Sequence, residues 1–153
     1  MDNVPAPWIS INPTQVLIDD ITNSKCGNIN NGNGTINQVF NITPNETYHV
    51  VFNYRWVSGA GSYNMTASVK ESDTGINDIG ILVLNTVPDI WHTGSFLFTA
   101  PIGVTKARIV FFKDTGNRSL RMDNVYIALK EELTAYVDTN TALTVQPLVI
   151  AGV

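Results

Sequence analysis

Residues 34–56 read GTINQVFNITPNETYHVVFNYRW, and the fold is decided inside this stretch. From Thr35 to Ile42, Ile36, Gln38 and Phe40 alternate with Asn37, Val39 and Asn41. Pro44-Asn45 then marks a turn, because proline presets its φ and asparagine tolerates the left-handed region. From Tyr48 to Trp56 the alternation resumes. Tyr48, Val50, Phe52, Tyr54 and Trp56 fall on one side, and His49, Val51, Asn53 and Arg55 on the other. A strand turns successive side chains to opposite faces, so this period of two predicts two consecutive strands.

Working outward, the same signature recurs. Gly59-Ala60-Gly61-Ser62 predicts a hairpin into a strand from Tyr63 to Glu71. Further strands are expected over Ile79–Val87, Ser95–Thr99, Lys106–Lys113, Leu120–Leu129 and Leu133–Val137. Upstream, Val16-Leu17-Ile18 is a short strand, followed by the turn-rich Asn31-Gly32-Asn33-Gly34. Residues 1–13 read as an extended arm, with prolines at 5, 7 and 13 around the short strand Trp8-Ile9-Ser10-Ile11. Ala142–Val153 reads as an apolar tail that Pro147 confines to an edge position. Many short strands with turn signals between them, and no helical periodicity, predict a sandwich or barrel. The domain plan expected is thus an arm (1–13), one all-β antiparallel sandwich or barrel (14–130), and a C-terminal strand extension (131–153).

Composition agrees and excludes other classes. Charged residues are 14% of the chain and the net charge is −4. Asparagine and threonine stand in for charge, with 17 and 16 residues among 153. The nine basic residues are scattered, which argues against a nucleic-acid surface. No apolar run approaches the roughly 18 residues of a membrane span. Cys26 stands alone, so it forms no internal disulfide and is read as a small buried hydrophobe. The start, Met1-Asp2-Asn3-Val4-Pro5, lacks the basic region and apolar run of a secretory signal, which suits a virion subunit better than a secreted filament.

The quoted block resembles the G-x-x-x-Q-x-F…P-G-x-x-Y-x-x-x-F-x-x-R stretch of galactose-binding-like jelly rolls, notably the xylanase-associated type of carbohydrate-binding module. Gly34, Gln38, Phe40, Pro44, Tyr48, Phe52 and Arg55 carry the likeness, with Asn45 where glycine is usual. Trp91 with Phe96-Leu97-Phe98-Thr99-Ala100-Pro101 is similar to a second motif of that family. Arg121-Met122-Asp123-Asn124-Val125-Tyr126-Ile127 resembles its closing D-N-V-x-I strand. The resemblance covers about residues 34–129 and implies a jelly roll that binds glycans without catalysis. It also implies a structural calcium ion with Asp123 as one ligand, and the partners available to it are Asp19 or Asp20.

Sugar recognition needs flat rings to stack on apolar sugar faces and planar polar groups for hydroxyls. The candidate ligand-binding residues are Trp56, Arg55, Asn53, Trp91, Arg108 and Tyr63. Trp56 is nominated because it ends a strand beside a glycine-rich loop. Catalysis is not expected: the two histidines, His49 and His92, show no metal-site spacing, no G-x-S-x-G elbow occurs, and no opposed carboxylate pair suggests itself. The expected function is a non-catalytic carbohydrate-binding-like module that recognises a glycan surface. The alternative is a structural subunit of a virion (a phage decoration or fibre protein) or of an extracellular filament, self-associating through the C-terminal tail. Either places the protein extracellularly or on a virion surface.

Overall fold

The computed structural model describes residues 9–11, 14–23, 25–30, 32–57, 59, 64–71, 77–114, 116–131 and 148–149. Eleven strands run in chain order: β1 (Ile9–Ile11), β2 (Thr14–Ile18), β3 (Lys25–Ile29), β4 (Gly34–Asn41), β5 (Thr47–Val57), β6 (Met65–Glu71), β7 (Asp78–Val83), β8 (His92–Thr99), β9 (Lys106–Lys113), β10 (Ser119–Leu129) and β11 (Leu148–Val149). They form two antiparallel sheets. One has the order β2-β3-β10-β5-β8, with β11 added beside β10, and the other the order β1-β4-β9-β6-β7. The all-β sandwich read from the sequence is the fold observed.

The core lies between the sheets and is built by the predicted alternation. Tyr48, Val50, Phe52, Tyr54 and Trp56 of β5 all point into it. They meet Ile36 and Phe40 of β4, Ala107, Ile109 and Phe111 of β9, and Met65, Ala67 and Val69 of β6. Phe52 and Phe111 touch edge to face with ring centroids 5.0 Å apart, a favoured aromatic geometry. Tyr48 stacks on Phe98 of β8 at 5.2 Å and accepts the Thr43 amide on its hydroxyl at 2.8 Å. Asn45 takes φ 67°, the left-handed conformation that the glycine of the resembling motif would supply, and its amide bonds Ala100 O at 2.8 Å.

β3 (Lys25–Ile29) is a strand where the sequence reads only as turn-rich, and strand bounds differ most from the reading in two other places. β7 stops at Val83 rather than Val87: the Leu84 amide makes the last bond toward β6, to Met65 O, and the Asn85 amide then turns to the Tyr54 hydroxyl. β8 begins at His92, three residues before the predicted Ser95, through the pairs Asn53↔Thr93 and Tyr54↔His92. Both terminal segments pair within the chain where they are described. Ile9–Ile11 lies along β4, and Leu148 and Val149 pair Ile127 and Tyr126 of β10. The predicted strand Leu133–Val137 and most of the tail lie outside the described residues.

One irregularity in β10 shapes the outer face of its sheet. The pairing of β10 with β5 shifts between Asp123 and Tyr126, a β-bulge, and Asn124 adopts φ 50° there. The bulge flips the strand's alternation, so Leu120 and Met122 point inward before it, and Val125 and Ile127 after it. Arg121 and Asp123 therefore share the outer face, beside Arg55 and Asn53 of β5 in register.

Candidate functional site

The outer face of the β5–β10 sheet carries a cleft of about 310 Å³ lined by Thr22, Asn53, Trp91, Asp123 and Asn124. β5 supplies Asn53 on the side opposite its aromatic stripe. The β10 bulge supplies Asp123 and Asn124. Thr22 comes from the turn between β2 and β3, and Trp91 from the residue before β8. Segments distant in sequence thus meet on the sheet floor.

Three of the lining side chains are held by hydrogen bonds. The Asn53 carboxamide oxygen accepts the Thr93 hydroxyl at 3.2 Å. The Asp123 carboxylate accepts the Asn124 amide at 2.8 Å, and burial, aided by the Asp19 charge, pushes its pKa above the ordinary value. The Trp91 indole Nε1 donates to Asp19 Oδ1 at 3.1 Å.

Asp19 sits beneath the cleft and is 0% exposed. Its Oδ1 also accepts the Ile21 and Thr22 amides at 2.9 and 3.1 Å, the local geometry of an Asx turn. Its Oδ2 accepts Arg55 Nη1 at 2.9 Å and Arg121 Nη1 at 2.6 Å. Asp20 bonds the same two guanidiniums, with Arg55 Nη1 at 2.6 Å, and Asp89 lies 3.7 Å from Arg55 Nη2. Burial opposes ionisation of Asp19, but Arg121, the two amides and the indole outweigh it and hold the carboxyl well below the usual range. Arg55 and Arg121 likewise lower Asp20 to about 2.

Measured against the sequence reading, Asn53 and Trp91 line the cleft as nominated. Trp56 does not. It is 1% exposed, because the β5 alternation continues to the strand end and the Arg118 guanidinium covers its ring at 4.6 Å. Arg55 lies on the correct face but is 4% exposed, committed to Asp19 and Asp20 rather than offered to a ligand. Arg108 is half-buried on β9 of the other sheet, beside Val39 and Lys70, and so is separated from the cleft. Tyr63 lies outside the described residues. Thr22, Arg121 and Asn124 were not nominated. Arg121 was detectable, since it stands two residues before Asp123 on an alternating strand.

The expected calcium ligands do not fit that role. Asp19 and Asp20 both bond the guanidiniums of Arg55 and Arg121, two positive charges beside which a divalent cation would be repelled. Asp123 is left with the Asn124 amide, and among the described residues no group of three or more His, Cys, Asp or Glu is disposed to hold a metal. A calcium site wants about six to eight oxygen ligands.

No family model and no curated protein matches the sequence. Solved structures do match. The C-terminal family 22 carbohydrate-binding module of Clostridium thermocellum is 17% identical, with a TM-score of 0.61 over 81% of this chain and 86% of that one. A CBM61 module in complex with β-1,4-galactotriose is 14% identical, with a TM-score of 0.58 over 82% and 90%. The enzymatically active domain of bacteriophage CBA120 tailspike protein 4 is 14% identical, with a TM-score of 0.60 over 81% of this chain. This chain spans only 19% of that tailspike's length. The fold is that of the carbohydrate-binding-module jelly rolls.

Proposed function

We propose that this protein is a non-catalytic carbohydrate-binding module that holds a glycan in the Trp91 cleft. The observation that carries the proposal is the lining itself: one indole, two carboxamides, a hydroxyl and a carboxylate converge on one open concavity. Sugars present apolar ring faces and alternating hydroxyl donors and acceptors. An indole covers the first, and planar amides and a carboxylate answer the second. The volume stands at the low end of the roughly 300–1,000 Å³ usual for ligand sites. Among the similar structures, the family 22 module binds its ligand through residues of a cleft, and the CBM61 module holds a galactotriose. The cleft offers one carboxylate of its own, Asp123, whereas glycoside hydrolysis uses two.

A glycan array followed by titration calorimetry tests this. Trp91→Ala is expected to weaken the best ligand by at least about tenfold, roughly 1.4 kcal/mol. Arg108→Ala, on the opposite sheet, is expected to bind as the unchanged protein does. Absence of binding to every glycan would overturn the proposal.

A second reading, a structural subunit of a virion or extracellular filament, draws on edge strand β7, where Ile81 and Val83 are 54% and 69% exposed. An apolar edge strand with one open side is a template for another chain. Both readings place the protein outside the cell or on a particle surface, and they are compatible within one molecule.

A further inference from the structure

We infer that Asp19, which a ligand would not touch, is the residue that positions the cleft; the inference rests on the glycan-binding reading only for its effect on affinity. One buried carboxylate gathers groups from four separated segments. Oδ1 takes the amides of Ile21 and Thr22 and the indole Nε1 of Trp91. Oδ2 takes Arg55 of β5 and Arg121 of β10. Of the five lining residues, Thr22 and Trp91 are therefore bonded to Asp19 directly. Asn53 and Asp123 each stand two residues from a bonded arginine, on the same strand face.

The geometry explains why a carboxylate is needed. Carboxylate lone pairs lie in one plane and aim in fixed directions, and an ionised group accepts several short hydrogen bonds at once. Trp91 precedes β8, and its ring would otherwise turn about its side-chain torsions at the sheet margin. The bond to Asp19 selects one ring orientation, so the stacking face is in place before a sugar arrives. Preorganisation of this kind raises affinity by removing an ordering cost from the binding step. An asparagine in place of Asp19 keeps the size and one acceptor oxygen. It loses the charge that holds both guanidiniums, and its amide group is a donor turned toward donors.

The first test needs no variant and no sugar. In the ¹⁵N-labelled full chain, the Trp91 indole Nε1–H is expected to exchange with solvent slowly, as a bonded group held against a buried carboxylate does. Free exchange of that proton would overturn the inference. The second test uses Asp19→Asn. The indole resonance of Trp91 and the backbone amide of Thr22 are expected to shift, while the core indole of Trp56 stays in place. A folded variant in which Trp91 and Thr22 do not move overturns the inference. One in which Trp56 moves equally makes Asp19 a general stability residue, and overturns it too. The third test measures affinity for the tightest oligosaccharide on the array. Asp19→Asn is expected to weaken it at least about tenfold with Trp91 present, and by a clearly smaller factor in the Trp91→Phe background, because a phenyl ring has no Nε1–H to lose and only the hold on Thr22 and the arginines remains. Equal loss in both backgrounds overturns the inference. If no saccharide binds, the function proposal fails alone, and the exchange and shift measurements still decide the role of Asp19.

Discussion

Asp19 and Asp20 make the stability of the protein depend on acid in a definite direction. Both carboxyls titrate below their ordinary value of 3.8, Asp19 because arginine, amide and indole donors outweigh its burial, and Asp20 through Arg55 and Arg121. A lowered folded value means that the unfolded chain takes up protons first. The stabilisation is then complete above 3.8 and drains away as pH falls through the folded values. Asp123 works the other way: its raised value adds a little stability as pH falls through it toward 3.8, before the losses begin. The urea midpoint is accordingly expected to stay level or rise slightly from pH 7 to about 4, and to fall below that. In Asp19→Asn the acid fall is expected to be shallower, because one contributor is gone. An unchanged slope in that variant would remove Asp19 from the account. Cys26 takes no part: it is fully buried, and burial chiefly pushes its thiol up to about 12, so it stays a neutral hydrophobe as its isolation in the sequence implied.

At the scale of elements, β8 shows how tightly the site's sheet is fitted to the core. A Cβ on Gly94 would fall under 3.0 Å from three atoms of the Phe52 ring, Cζ, Cε1 and Cε2. Phe52 is completely buried and locked edge to face against Phe111, so it has little room to yield. Gly94→Ala is expected to destabilise the protein by about 1–3 kcal/mol, the usual cost of overpacking, read as a lower urea midpoint with unchanged slope. Gly94 pairs with Phe52 one position from Asn53↔Thr93, so the same variant is expected to weaken glycan binding as well. β5 was legible throughout, since a period of two over nine residues admits no other element. Its two ends were not equally legible. Periodicity says which face Trp56 occupies but not that Arg118, sixty-two positions on, closes over it. The bulge in β10 was equally hidden: the D-N-V motif was visible, but the reversal of face at Asn124 comes from pairing with β5, a long-range fact.

At the scale of the molecule, strand spacing and turn residues narrowed the fold to a sandwich or barrel and the family resemblance chose the sandwich, whereas the site required the sheet order. Asn53 and Trp91, which the sequence nominated from strand face and ring chemistry, both line the cleft, because those are local properties. The burial of Arg55 was not legible, because its partners, Asp19 and Asp20, arrive from a turn thirty-six and thirty-five residues earlier and cover it. The same long-range pairing bears on the tail. Leu148 and Val149 lie against Ile127 and Tyr126 on the side of β10 away from β5, continuing the edge that β3 occupies at Leu120–Met122. At these two residues the hydrogen bonds that would recruit a neighbouring chain are made within the chain, and β7 offers a second edge for assembly. A chain ending at Lys130 is expected to sediment in the same oligomeric state as the full chain. It is also expected to lose about 1–2 kcal/mol of stability, the worth of a short stretch of ladder, each bond contributing about 0.5–1.5 kcal/mol. Glycan affinity is expected to persist, because Asp123 and Asn53 face each other in the β5–β10 register, and β11 pairs β10 beyond them, at Tyr126 and Ile127. A smaller species for the shortened chain would instead return the tail to a role between subunits. Loss of binding with folding intact would show that the cleft extends beyond its five lining residues to the edge where β11 lies.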